Sequence, residues 1–340
     1  MKKIIRIGFI LLLLAFFAGG TAYYFIYWPN TQVKDKGIIY IQKGDSFETV
    51  LATLQSKGYV ENVYTLRKVA DWKKYPAYIK SGRYRIQNGM SNNALVNLLR
   101  SGNQEAVNFT FHNVRTFQQL AGLVSHQLEM DSLTFLQTVQ NPEISRELGF
   151  SQENFKAMFI PNTYQLYWNI TPRDFVYKMA GEYKKFWNTA RREKAAQAGL
   201  SPEEVIILAS IVEEETVKPE EYPIIAGVYI NRLKKDIPLA ACPTLKYAWG
   251  DFTLQRILTK HTEIDSPYNT YKYLGLPPGP VRLPSIPVID AVLNYQKHDY
   301  LFFCAKSDFS GGHHFSKTLR QHNQYARQYH EALNRKRIYQ

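Results

Sequence analysis

The chain has 340 residues, 45% apolar and 21% charged, with 24 Tyr and 19 Phe; this composition excludes disordered and collagen-like classes and leaves room for two modules. Its net charge of +13 points to nucleic acid, a lipid surface or a polymer of carboxylates and phosphates, and scattered basic residues without zinc-finger spacing or RNP-type aromatics argue against nucleic acid. Two cysteines, Cys242 and Cys304, lie in neither a CxxC nor a metal-ligand pattern, so they read as buried thiols, with pairing in an oxidising compartment as the alternative.

Lys2, Lys3 and Arg6 precede an uncharged apolar run over 7–27, long enough to cross a hydrocarbon core of about 30 Å as a helix. The cationic flank keeps residues 1–6 in the cytoplasm and exports the rest. Gly20-Thr21-Ala22 offers a signal-peptidase site, but the aromatic cluster from Tyr23 to Trp28 suits an outer membrane interface and favours a retained anchor. The expected location is the inner (cell) membrane, single-pass, with the chain beyond the helix on the periplasmic side. Pro29 to Lys36 reads as a tether.

A first module is expected over 37–104. Ile38 to Ile41 reads as a strand, Lys43-Gly44 as a turn, and Asp45 as an N-cap with Glu48 three residues on. A helix follows through Phe47, Val50, Leu51 and Leu54 to Gly58, and another over Val63 to Trp72. Ser81 to Ile86 reads as a returning strand, and Ser91 caps a helix carrying Leu95, Leu98 and Leu99.

The second module, 105–340, opens with a strand over Val107 to Phe111 and helices over Phe117 to Leu128 and Ser132 to Val139. A Pro-centred turn at Phe159 to Tyr164 and a helix over Arg173 to Trp187 follow. Ser201-Pro202-Glu203-Glu204 combines an N-cap, proline at the first helical position and a carboxylate two residues later. The run from Val205 to Val212 is apolar on every side, so this helix is buried, and it delivers Glu213-Glu214-Glu215-Thr216. Carboxylates at a helix C-terminus face its partial negative charge. Either the helix continues into solvent or the carboxylates are held there for chemistry. Successive residues rotate by roughly 100°, so at most two of the three face one cleft.

Leu208 to Thr216 resembles the catalytic helix of the YceG-like (MltG) endolytic murein transglycosylases. Val228 to Leu233, the loop Ser266-Pro267-Tyr268-Asn269-Thr270-Tyr271, Gly275 to Pro280 and Gly311-Gly312-His313-His314-Phe315 resemble later family segments in the same order. The first module, through Lys43-Gly44 and Ser81 to Tyr84, resembles the family's LysM-like domain. Cys242 and Asn162 stand where the family usually has Asp, and Leu283 and Ser285 where it has Asn and Gly.

The resemblance implies an α+β fold: a transmembrane helix, a small LysM-like α+β module and a larger mixed α+β catalytic domain. It implies a lytic transglycosylase that cleaves the MurNAc–GlcNAc bond of nascent peptidoglycan strands, gives 1,6-anhydroMurNAc ends and limits strand elongation. Glycosidic cleavage needs a proton donor with a raised pKa, and Glu213 is the expected acid/base residue with Glu215 as its neighbour. Glu215, Tyr268, Asn269, Thr270 and His314 are the expected substrate-binding residues; the alternative for the loop residues is that they only rigidify it. His313, His314 and His322 match no zinc spacing, so neither metal nor cofactor is expected. Expected partners are peptidoglycan strands, the membrane and, from location alone, cell-wall synthases. The rival class is a non-catalytic peptidoglycan-binding or scaffold protein, motivated by Cys242 and Asn162.

Overall fold

A computed structural model describes residues 2–254 and 257–336, and the chain forms two compact units. One comprises residues up to Phe109 with Gln127–Met130 and Tyr164–Thr171; the other comprises the remainder. Both mix helices with short antiparallel strand pairs, an α+β architecture.

The first unit begins with α1 (Lys2–Tyr27), the one described helix long and apolar enough to cross a membrane unless a later bent pair counts as one span. Strand β1 (Ile38–Ile41) alternates, with Ile39 and Ile41 buried and Tyr40 exposed. Helices α2 (Phe47–Ser56) and α3 (Val63–Trp72) follow, then β2 (Gly82–Arg85), antiparallel to β1 with Ile38 opposite Arg85 and Ile41 opposite Gly82. Helix α4 (Asn92–Ser101) completes a core of Ile39, Leu51, Leu66, Tyr84, Leu95 and Leu99.

Two local expectations are corrected here. The N-cap of α2 is Ser46, whose hydroxyl accepts Thr49 N–H at 3.1 Å, while Asp45 instead accepts Gln42 N–H and closes the preceding turn. Glu48 pairs with Arg67 rather than completing a capping box.

Residues 29–36 are not a loose tether. Pro29 bridges Ser91 and Thr31 bridges Val60. The buried Asn30 amide donates to Asn92 Oδ1 at 2.6 Å, and Asn92 in turn donates to the Phe25 carbonyl of α1 at 2.8 Å. Polar side chains buried in this way must find partners, and these join the end of α1 to the unit.

The chain passes between units in β3 (Val107–Thr110) and β4 (Thr163–Leu166), which pair with each other. In the second unit, α5 (Phe117–Gln127), α6 (Ser132–Val139) and α7 (Pro142–Glu147) precede β4, and α8 (Pro172–Phe186) and α9 (Thr189–Ala198) follow. Its centre is α10 (Pro202–Glu215). The expected capping box is present, with Ser201 and Glu204 bonding reciprocally, and Val205 through Val212 are all buried.

Around α10 pack α11 (Tyr222–Leu233), α12 (Cys242–Trp249) and α14 (Ile286–Leu293), with the short α13 (Thr259–Thr262) between the last two in sequence. Strands β5 (Phe302–Ala305) and β6 (His313–Ser316) form an antiparallel ribbon with Cys304 opposite His314, covered by α15 (Leu319–Arg335). Cys242 and Cys304 are free thiols.

Candidate active site

Helix α10 stops at the carboxylates: Thr216 is extended, with φ −145° and ψ 149°. The run therefore does not continue as a solvated helix, and its rotation sends the three side chains to different partners. Glu213 Oε2 accepts the Ser285 backbone N–H at 3.1 Å and lies 3.1 Å from Arg282 Nε. That Nε–H is out of line with the oxygen and has no hydrogen-bond acceptor, so the contact is an ion pair only. Glu214 is gripped by Arg115 at 2.9 and 3.0 Å and by Arg282 Nη1 at 2.9 Å. These guanidinium groups offset the negative end of the helix.

Glu215 turns toward α11 and α12, where Tyr229 OH donates to it at 2.6 Å. Burial pushes its carboxyl up to about 7, against the opposing pull of the Tyr229 bond and of Lys246 and Arg232, with Glu214 adding repulsion. The residue keeps some surface in contact with solvent although its carboxyl sits deep among protein atoms; dense surroundings set the direction of the shift and water access moderates its size. Cys242, beside it, is held neutral, its thiol pushed up to about 11 by burial and then by the Glu215 charge. The expected pairing of Glu213 with Glu215 is corrected: Glu214 is the carboxylate that shares a counter-ion with Glu213.

The segment facing Glu213 is fixed at several points. Val281 N–H donates to Ser210 Oγ at 3.0 Å, and Leu283 N–H to the Val114 carbonyl at 2.8 Å. At Gly279 a methyl group would fall on the Glu153 carbonyl, so only glycine permits this approach. Arg282 Nη2 also donates to Asn113 Oδ1 at 2.8 Å. Because Glu213 receives a backbone N–H from Ser285, the departure from glycine there leaves that contact available.

The loop residues divide. Asn269 is fully buried; its amide donates to the Thr262 and Ile264 carbonyls at 2.8 Å each and its oxygen accepts Tyr271 N–H at 3.1 Å. Thr270 is equally enclosed, accepting Ala241 N–H at 3.0 Å and meeting the Thr244 hydroxyl at 2.8 Å. Both polar groups are bonded inside the fold, an arrangement that fits the alternative in which they rigidify the loop. Tyr268 stays half-buried and lies against Tyr247 with ring centres 4.6 Å apart. Tyr271 OH meets Cys242 Sγ at 3.3 Å and belongs with the Glu215 group. The outer side of this loop opens a depression of about 450 Å³ lined by Asp265, Ser266, Pro267, Tyr273, Leu276 and Pro278.

The His314 ring stacks on Tyr325 of α15 at 4.3 Å and 13°. Alternation along β6 points its neighbour the opposite way. There His313 donates its backbone N–H to Glu221 at 2.8 Å and places Nδ1 2.7 Å from the other carboxylate oxygen, which also accepts the Thr216 hydroxyl at 3.0 Å. Burial opposes the Glu221 charge, but the His313 bonds outweigh it and hold the carboxyl below its usual range. His313 thus reaches the Thr216 cap of α10 through Glu221.

Lys156 is a further residue the sequence did not flag. Its ammonium is buried, donates to Tyr247 OH at 2.7 Å and to the Arg115 carbonyl at 3.2 Å, and is pushed down to about 7 by burial. Nothing in its local sequence distinguishes it from a surface lysine. Among the described residues, no three His, Cys, Asp or Glu side chains gather as a metal site.

The YceG-like family model matches residues 39–328. An endolytic murein transglycosylase of Bacillus subtilis is 29% identical over 320 residues, covering 88% of this chain and 86% of that one. One of Streptococcus pneumoniae is 31% identical over 300 residues, 78% of this chain and 53% of its own, so the chain spans about half of that relative. A crystal structure of a yceG-like protein from Listeria monocytogenes superposes with a TM-score of 0.55 at 26% identity, covering 84% of this chain and 98% of that one. With a match spanning most of its length, the chain belongs to the YceG-like family.

Proposed function

We propose that this protein is an endolytic murein transglycosylase that cuts the MurNAc–GlcNAc bond of nascent peptidoglycan strands, leaves 1,6-anhydroMurNAc ends and so limits strand elongation. The relatives named for that activity, aligned over most of the chain, support the reading. The observation that carries it is Glu213, placed by a buried helix against Ser285 and Arg282 with only 12% of its side chain exposed.

In the reaction the Glu213 carboxylic acid gives its proton to the glycosidic oxygen as the C1–O bond breaks and positive charge develops on the ring. The muramic acid's own C6 hydroxyl attacks C1, and the Glu213 carboxylate takes that hydroxyl's proton. One residue thus serves as acid and then base, and no water is consumed. Tyr268, half-buried beside Tyr247, offers an aromatic face to a sugar.

Helix α1 anchors the protein in the inner membrane with its N-terminus cytoplasmic and the catalytic unit periplasmic, consistent with its apolar length. Residues 37–104 are the LysM-like module, a reading supported by the Lys43-Gly44 turn and the Ser81 to Tyr84 segment, and wall synthases share this location. The test is mass spectrometry of fragments released from peptidoglycan by the full chain in detergent and by its Glu213→Gln variant. Anhydro-muramyl ends from the wild type alone are expected. Reducing ends indicate a hydrolase, and no fragments from either folded protein indicate a wall-binding scaffold.

A further inference from the structure

The end of α10 holds a chain of charges that the reaction above does not use. Arg282 touches Glu213 through Nε, Glu214 through Nη1 and Asn113 through Nη2, and its side chain is only 11% exposed. Glu214 in turn holds Arg115 through two bonds. Two arginines and one glutamate leave a single net positive charge beside Glu213.

We propose that Arg282 is a positioning residue for the cleavage: it is the counter-ion of the carboxylate that Glu213 becomes after protonating the glycosidic oxygen, and Glu214 holds the guanidinium in place. This rests on the reading of Glu213 as the acid/base residue. The Arg282 Nε–H is buried and lacks an acceptor while lying 3.1 Å from Glu213 Oε2. A small rotation of the carboxyl completes that bond, and the gain is greatest when the group carries a full negative charge. Ser285 N–H already donates to the same oxygen.

The proton ledger closes. Glu213 loses its proton to the leaving oxygen, the C1–O electron pair stays on that oxygen, and the new carboxylate lies against Arg282 until it takes the C6 hydroxyl proton. Glu214 takes part of the Arg282 charge, so the guanidinium is shared between the two carboxylates.

Among the described residues, titratable groups on the elements near α10 engage partners as follows. Tyr222 of α11 feels the Glu213 charge. On α12, Lys246 acts on Glu215. On the 3-10 segment Phe155–Met158, Lys156 is bonded to Tyr247 and the Arg115 carbonyl. Between α9 and α14, Arg191 pairs with Asp290.

The experiment measures kcat and KM for anhydro-end formation across pH 4.5–9 with full-length protein in detergent micelles and un-cross-linked peptidoglycan strands. For Arg282→Gln, kcat falls about a hundredfold with KM changed less than about threefold. The basic limb of its kcat profile moves up by about one pH unit, because removing a cation lets the acid keep its proton to higher pH. Arg282→Lys restores the limb and part of the rate. Glu214→Gln moves the limb the opposite way, to lower pH, and serves if Arg282→Gln does not fold. An unmoved limb in folded Arg282→Gln, or in Glu214→Gln, overturns the role given to Arg282. Activity retained by Glu213→Gln instead overturns the acid/base reading itself, a separate outcome.

Discussion

Replacing Glu215 with Gln keeps the shape of the side chain and an oxygen for Tyr229 OH to bond, but removes the titration. In the fold the carboxyl is raised from an ordinary 4.5 to about 7. A group whose folded value lies above its unfolded value stabilises the fold fully below the unfolded value and loses that contribution as pH rises through the folded one. The window is therefore from about pH 4.5 to just above pH 7. At about 1.4 kcal/mol per pH unit, the wild type loses up to about 3 kcal/mol relative to Glu215→Gln across it; water access to the residue brings the expected value to about 1–2 kcal/mol. Chemical denaturation of both full-length proteins in micelles at half-unit steps from pH 4.5 to 8.5, followed by tryptophan fluorescence, reads this difference. A stability gap that stays constant with pH refutes the reasoning, because it leaves Glu215 with no proton bound more tightly in the fold.

Asn269→Ala strands the Thr262 and Ile264 carbonyls and the Tyr271 N–H, and is expected to destabilise by about 2–4 kcal/mol in a thermal melt. Asn92→Ala frees the Phe25 carbonyl and the Asn30 amide, so amide exchange over residues 28–33 is expected to accelerate at least about tenfold while exchange in α10 stays unchanged. His314→Phe retains a ring to stack on Tyr325 and is expected to keep most activity. By contrast, His313→Ala leaves Glu221 buried with one donor fewer and is expected to cost about 1–3 kcal/mol of stability.

The elements were readable where the signal is local. The capping box at Ser201 and Glu204, the apolar run behind it and the alternation of β1 are patterns of adjacent residues that leave little to tertiary context. Choosing between Asp45 and Ser46 as a cap depends on which residue adopts the extended conformation, and both carry suitable oxygens. The three glutamates were legible as a group, and the helix period showed that they diverge, but the partners of Glu213 and Glu214 lie 68–99 positions away in sequence and that of Glu215 lies 14 away. Only the fold can say that Arg282 lies under Glu213. Asn269 and Thr270 stayed ambiguous in sequence for a related reason: an amide and a hydroxyl in a loop read equally as ligand contacts or as loop braces, and only the fold shows both already bonded. The tandem His313-His314 cannot be resolved by pattern at all, because alternation sends one ring to each face without saying which face holds Glu221.

The joining of α1 to the first unit has a mechanical consequence. With the Phe25 carbonyl held by Asn92, and Asn30 held by Asn92 and Asn62, no slack segment separates the apolar helix from the folded unit. Helix and unit act as a single lever. On the anchoring proposed for α1, a bilayer whose thickness alters the tilt of an apolar helix swings the first unit through the same angle, a movement that a free linker absorbs.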